Sequence, residues 1–232
     1  MNLTLLSGGA AHGLVTALAP QFKAQTGADI DATFGAVGAM RDKLLAGTDA
    51  DVLILTAALI GELTTAGYVA AGTAADIGTV ATGVAVRSGD PMPAIGDADA
   101  LRAALRGADA IYFPDPSLAT AGIHFAKVLD RLGIAAEVAP RLRPHPNGSA
   151  AMAALAAVDG GRPIGCTQVT EILDTKGTSL VGNLPEGFAL ATVYTLGIST
   201  KARSPELAHK LAAMLTGDAS RDLRRRLGFD AG

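Results

Sequence analysis

The chain has 232 residues, 49% hydrophobic and 18% charged, with a net charge of −3. That is long enough for one large domain or two small ones, and too apolar for disorder over most of its length. A single cysteine, Cys166, excludes an intramolecular disulfide framework and a cysteine-built zinc site, the mild acidity implies no basic face for nucleic acid, and no apolar run approaches the roughly 18 residues of a membrane span.

The N-terminus leads from Met1-Asn2 straight into the strand Leu3 to Leu6, with no basic segment, apolar core or small-residue cleavage site. The chain as written therefore reads as cytoplasmic, and as periplasmic if a leader has been removed. Gly8 and Gly9 turn it into a helix with Leu14, Leu18 and Phe22 at i, i+4 and i+8, ended by Gly27. Asp29 to Phe34 alternates as a second strand, and a helix with Met40, Leu44 and Leu45 closes at Gly47. Asp51 to Leu55 is a continuous apolar run, as in a strand covered on both faces of a parallel sheet. A third helix stops at Gly67.

Ile77 to Arg87 is long and β-rich, and reads as a strand leaving the first sheet. The unit pattern then restarts with a helix near Asp97 to Arg106, a strand Ala110 to Phe113 and a helix Gly122 to Leu132. A strand near Glu137 to Leu142, a loop Arg143 to Gly148, a helix Ala150 to Val158 and a strand Ile164 to Thr167 follow. A second long β stretch, Gly187 to Ile198, carries the chain back, and Ser204-Pro205-Glu206 opens a terminal helix. Arg224-Arg225-Arg226 in the last helix reads as a solvated face. The expectation is an α/β protein of two lobes, residues 1–82 plus 194–232 and residues 83–193.

Ligands of open α/β sheets gather beyond the carboxyl ends of the strands. Those ends are Ser7-Gly8-Gly9-Ala10, Gly35-Ala36-Val37-Gly38, Thr56-Ala57, Ser117 to Gly122 (with Thr120 and Ala121), Asn147-Gly148-Ser149 and Gln168 to Glu171. Small neutral residues let backbone N–H groups approach a ligand, and helix N-termini favour anions. The sum points to a cleft for a small anion or organic acid; ordinary glycine-flanked βα turns are the plain alternative. Gly8 to Gly13 lacks the Lys-Ser/Thr of a P-loop and does not fit G-x-G-x-x-G, so no nucleotide cofactor is expected. The four histidines have no metal-ligand spacing, so no metal is expected either.

His12 and His124 each stand in the first turn of a helix behind such a loop, where a histidine can donate to an acid or act as a general base; a solvated or capped ring is the plainer reading. Glu171 is the only carboxylate in its loop, a base or an ordinary first-turn acid. Arg41, facing inward, could fork onto a ligand carboxylate; facing outward, it could pair with Asp42 or Asp51. Cys166 reads as a small core residue.

Several phrases carry a resemblance: Ala19-Pro20-Gln21-Phe22-Lys23 before Thr26-Gly27, Lys43 to Ile54, Asp115-Pro116 followed by Thr120-Ala121-Gly122, and the terminal Leu227-Gly228-Phe229. Through them, nearly end to end, the chain resembles a type II periplasmic binding protein, in particular the molybdate-binding proteins of ABC transporters. The resemblance implies a two-lobe fold with two crossover strands, closing on an anion in an interlobe cleft between helix N-termini. Carried over by position, the first-loop serine falls on Ala10, with Ser7 nearby, and the second-loop serine on Val37. The third-loop alanine is matched at Ala121, the fourth-loop position falls near Ala151, and the tyrosine falls on Gln168. Three hydroxyls that hold a tetrahedral oxyanion are thus replaced, which favours an organic acid over molybdate.

Some chains of this family resemble aconitate isomerase, a double-bond isomerase of carboxylic acids on the same scaffold. Two functions are therefore expected. One is a solute receptor serving an ABC transporter if exported. The other is a cytoplasmic isomerase with His12, His124 or Glu171 as base and Arg41 as clamp.

Overall fold

A computed structural model describes residues 2–230 of the protein. In chain order the elements are β1 Asn2–Gly8, α1 His12–Thr26, β2 Asp29–Gly35, α2 Val37–Leu45, β3 Val52–Thr56, α3 Ala57–Thr65 and β4 Ala75–Arg87. There follow α4 Ala98–Gly107, β5 Ala110–Pro114, α5 Thr120–Arg131, α6 Ala135–Val138, β6 Leu142–His145, α7 Gly148–Ala157, β7 Pro163–Gln168, α8 Val169–Asp174 and β8 Thr178–Asn183. The last elements are β9 Ala191–Ile198, α9 Pro205–Thr216 and α10 Arg221–Arg226. Two compact units result, residues 1–80 with 192–232 and residues 81–191. The chain leaves the first unit within β4 and returns at the start of β9.

In the first unit β1 runs parallel to both β2 and β3, and β9 runs antiparallel to β3. Val52, Leu53, Ile54 and Leu55 are wholly buried, as a strand with cover on both faces must be. Leu14, Leu18 and Phe22 form the buried stripe of α1, and Gly27 ends that helix at φ 72, a left-handed value that glycine adopts without strain. Asp51 is buried at the foot of β3. It accepts hydrogen bonds from the Thr4 N–H (2.8 Å) and hydroxyl (2.7 Å), and from the N–H groups of Arg203 (2.6 Å) and Ser204 (3.0 Å). One carboxylate thereby joins β1, β3 and the start of α9.

Arg224 does not belong to the solvated face expected of its cluster. It is 4% exposed, and its guanidinium donates to the carbonyls of Ile77 (2.6 Å), Thr216 (3.1 Å) and Gly217 (3.1 Å). The carbonyls at the end of α9 lack intrahelical partners, and a buried cation satisfies them. Arg225 and Arg226 remain exposed.

In the second unit β4 pairs antiparallel with β7 and β8, while β5 runs parallel to β6 and β7. Side chains alternate across this sheet. Val84 joins Leu101, Leu105, Phe125 and Val128 on one face; Ala85 joins Ala151, Met152, Leu155 and Ile172 on the other.

Residues 137–142 depart from the strand expected there. Ile134 and Val138, one helical turn apart, are both fully buried, and that pairing holds α6. A 3-10 turn with Pro140 follows, and the strand is β6, at Leu142–His145. Pro144 is tolerated there because β6 is an edge strand bonded to β5 alone. The long β stretch from Gly187 starts as β9 only at Ala191, since a turn closed by Phe188 N–H on Pro185 O occupies the preceding segment. β8 has no counterpart in the expected elements; its residues are all half-buried or exposed and show no alternation.

Candidate functional site

The candidate loops of the first unit lie at the carboxyl ends of β1, β2 and β3. Ser7 is fully buried and its hydroxyl is turned onto the Gly8 carbonyl at 2.9 Å. Gly8 lies so close to its neighbours that an added Cβ would stand 2.8 Å from Val37 Cγ1 and 3.1 Å from Tyr194 Cε1. The first and second loops therefore meet at this glycine. Ala10 and Val37 are buried, Gly38 is buried beside Val37, and Gly9 is half-buried. Thr56 caps α3 by accepting the Leu59 N–H at 3.3 Å, and its register partner on β9 is Tyr194. Tyr194 is a residue that sequence reasoning missed. Its signal was a lone polar aromatic in a long β stretch, and only the pairing of β9 with β3 brings it to these loops.

His12 opens α1 with its ring edge-on to Phe34, centroids 4.8 Å apart. Arg41 takes the outward alternative: Nε and Nη2 both hold Asp42 Oδ1, at 2.9 and 2.8 Å. To clamp a ligand carboxylate it would have to release that pair.

In the second unit, Thr120 and Ala121 begin α5. Gly122 fits where no other residue can, because a Cβ would stand 2.2 Å from the Pro114 carbonyl and 2.3 Å from that of Asp115. Close approach of helix to strand brings the α5 N-terminus to the end of β5. His124 is committed: its Nε2 lies 2.7 Å from the Phe188 carbonyl, to which it donates.

Asn147 caps α7 by accepting the Ala150 N–H at 2.8 Å, and Ser149 is half-buried in the same turn. Gln168 is buried at the head of α8, opposite Thr82 of β4. Glu171 is 5% exposed. Burial pushes its carboxyl up to about 6, against hydrogen bonds from the Thr167 hydroxyl and the backbone N–H groups of Ser149, Gln168 and Gly148 that pull the other way. The Thr167 Oγ1 to Glu171 Oε2 distance is 2.6 Å. Cys166 is fully buried, and desolvation raises its thiol well above the ordinary range, so it is inert as a nucleophile.

Helix ends at these loops fall into two kinds. Thr56, Asp97 and Asn147 cap α3, α4 and α7 with side-chain oxygens. Behind Ala11, Ala36, Ala119 and Gln168, the helices α1, α2, α5 and α8 begin with no side-chain cap. A cleft of about 280 Å³ in the second unit lies elsewhere, against the amino ends of β5 and β7 with Val86, Met92, Pro93, Ala104 and Pro163 in its wall, and contains none of the candidate residues. Among the described residues no three His, Cys, Asp or Glu side chains are grouped to hold a metal ion, and no helix is long and apolar enough to cross a membrane.

Aconitate isomerase from Pseudomonas sp is 26% identical over 232 residues, covering 97% of this chain and 85% of that protein. The periplasmic molybdate-binding protein of Azotobacter vinelandii aligns with a TM-score of 0.80 at 18% identity, over 98% of both chains. The sulfate-binding protein SubI of Mycobacterium tuberculosis H37Rv aligns at 0.75 and 18% identity, over 99% of this chain and 86% of that one. At such identities the two structures establish the fold, an α/β fold of the type II periplasmic-binding-protein class. Residues 3–230 match the family described as bacterial extracellular solute-binding protein, and with nearly the whole length matched the chain belongs to that family.

Proposed function

We propose that the protein is a receptor for a small organic acid anion, bound chiefly by backbone amides, and that it delivers this solute to an ABC transporter. The observation that carries the reading is the uncapped helix starts of the first unit, ahead of α1 and α2, whose loops of small neutral residues meet at Gly8. Their first N–H groups need an acceptor, and an anion supplies it. On the resemblance read from the sequence, Ala10, Val37 and Gln168 replace hydroxyl donors to a tetrahedral oxyanion, and a site lacking such donors loses affinity for that ligand. Calorimetry of di- and tricarboxylates against molybdate and sulfate tests this. A polycarboxylate should bind at least about 100-fold more tightly than molybdate, a gap of about 2.7 kcal/mol. Submicromolar molybdate binding would reverse the assignment.

A second reading is an isomerase of unsaturated carboxylic acids, favoured by the 26% identity to aconitate isomerase and by His12 at the mouth of the Ser7-Gly8 loop. Moving a double bond needs a proton taken from one carbon and returned to another, and one positioned base does both. His12 suits that role better than His124, whose Nε2 is spent on Phe188. Incubation with cis- and trans-aconitate in deuterated water reads the reaction directly by NMR. Exchange that His12→Ala slows by about 100-fold supports the enzyme; binding without exchange leaves the receptor.

A further inference from the structure

The first turn of α7 has no amide to spare. Asn147 takes the N–H of Ala150 at 2.8 Å, and the Glu171 carboxylate takes those of Gly148 and Ser149. The Thr167 hydroxyl at 2.6 Å and the Gln168 N–H complete its donors. The backbone is shaped for this contact. A Cβ on Gly148 would lie 1.8 Å from Glu171 Oε2 and 2.1 Å from Thr167 Oγ1, so only glycine lets the carboxylate reach the amides. Glu171 and Thr167 are both buried, although the loop ahead of α7 sits at the carboxyl end of β6, where an anion from solution would be expected.

We propose that Glu171 is a built-in occupant of the anion-binding end of α7 and so a specificity-determining residue, barring free oxyanions and carboxylates from that helix. The proposal deepens the anion-receptor reading and rests on it for the ligand. An external anion would meet a like charge and find its donors taken. Such an anion must be held by other helix starts. Whatever part of the ligand reaches α7 has to be a hydroxyl or carbon skeleton. A symmetric tetrahedral oxyanion has no such part, whereas a hydroxy or unsaturated acid does.

The test follows the amide resonances of Gly148 and Ser149 in the ¹⁵N-labelled full-length chain, titrated with formate and with sulfate. In the wild type they should not move at any concentration the folded protein tolerates; movement with either anion overturns the proposal. In Glu171→Ala they should move with formate, which restores the lost carboxylate. Tm should then rise by about 2–4 °C with formate at about five times its Kd. A folded Glu171→Ala that ignores formate also overturns the proposal. Should that variant fold only with formate present, the expectation is met; should it not fold at all, the wild-type titration decides alone. Neither anion is a polycarboxylate, so failure of the organic-acid reading in calorimetry would leave this result legible, and the reverse holds as well.

Discussion

Asp51 and Glu171 are both buried carboxylates, and their surroundings push them in opposite directions. Burial raises Asp51, but hydrogen bonds from Thr4, Ser204 and Arg203 outweigh it and hold the carboxyl below its ordinary 3.8. A depressed folded value means stability that is present above about pH 3.8 and lost as pH falls through the folded value. Asp51→Asn cannot accept at both oxygens and should lose about 2–3 kcal/mol in urea unfolding at neutral pH. For Glu171, desolvation wins, and the folded value of about 6 exceeds the ordinary 4.5. Between those values the folded protein binds more protons than the unfolded chain, so stability should fall as pH rises, by about 2 kcal/mol in all. Glu171→Gln should flatten that slope, which urea midpoints at several pH values would show; an unchanged slope would assign it to another group.

At the scale of elements, two glycines set how closely helices approach strands, and they should respond unequally. At Gly122 an added methyl meets the backbone carbonyls of Pro114 and Asp115, which cannot give way without moving β5 or α5. Gly122→Ala should therefore cost about 3 kcal/mol or more. At Gly8 the obstacle is Val37 Cγ1, the end of a side chain. Gly8→Ala should cost about 1 kcal/mol while pushing apart the loops proposed to hold the ligand, so on that proposal its larger effect belongs in affinity. Comparing urea midpoints and calorimetry for both variants separates the roles. Equal stability losses would mean that the Gly8 neighbourhood is as rigid as backbone.

Across the whole molecule, the first unit is assembled from chain ends far apart in sequence, and Arg224 is one of its ties. Its partner Ile77 lies 147 positions away. Arg224→Ala leaves three carbonyls short of a buried donor and should cost about 2–3 kcal/mol. Hydrogen exchange should show faster amides near Ile77 and Leu215 before any change in β5 and β7, which belong to the other unit. Uniform acceleration across both units would contradict the placement of this tie in the first unit alone.

The fold class was legible in the sequence because local signals carry it. Glycines at Gly27, Gly47 and Gly67 punctuate the helices, the apolar run Val52 to Leu55 marks a doubly covered strand, and Leu14, Leu18 and Phe22 mark a helical face. Each depends on residues within a few positions of one another, where backbone sterics and periodicity act. Residues 137–142 were misread because Ile134 and Val138 are equally compatible with a strand until the core around Phe125 and Val128 takes both from one helical face. Long-range geometry alone decided the rest. Arg224 looked like one of three solvated arginines until Ile77 and the end of α9 supplied its acceptors. Glu171 is the first-turn acid the sequence allowed, but its burial against donors from α7 and β7 shows only in the fold. Such pairings are set by packing between segments far apart in the chain, and no local pattern encodes them.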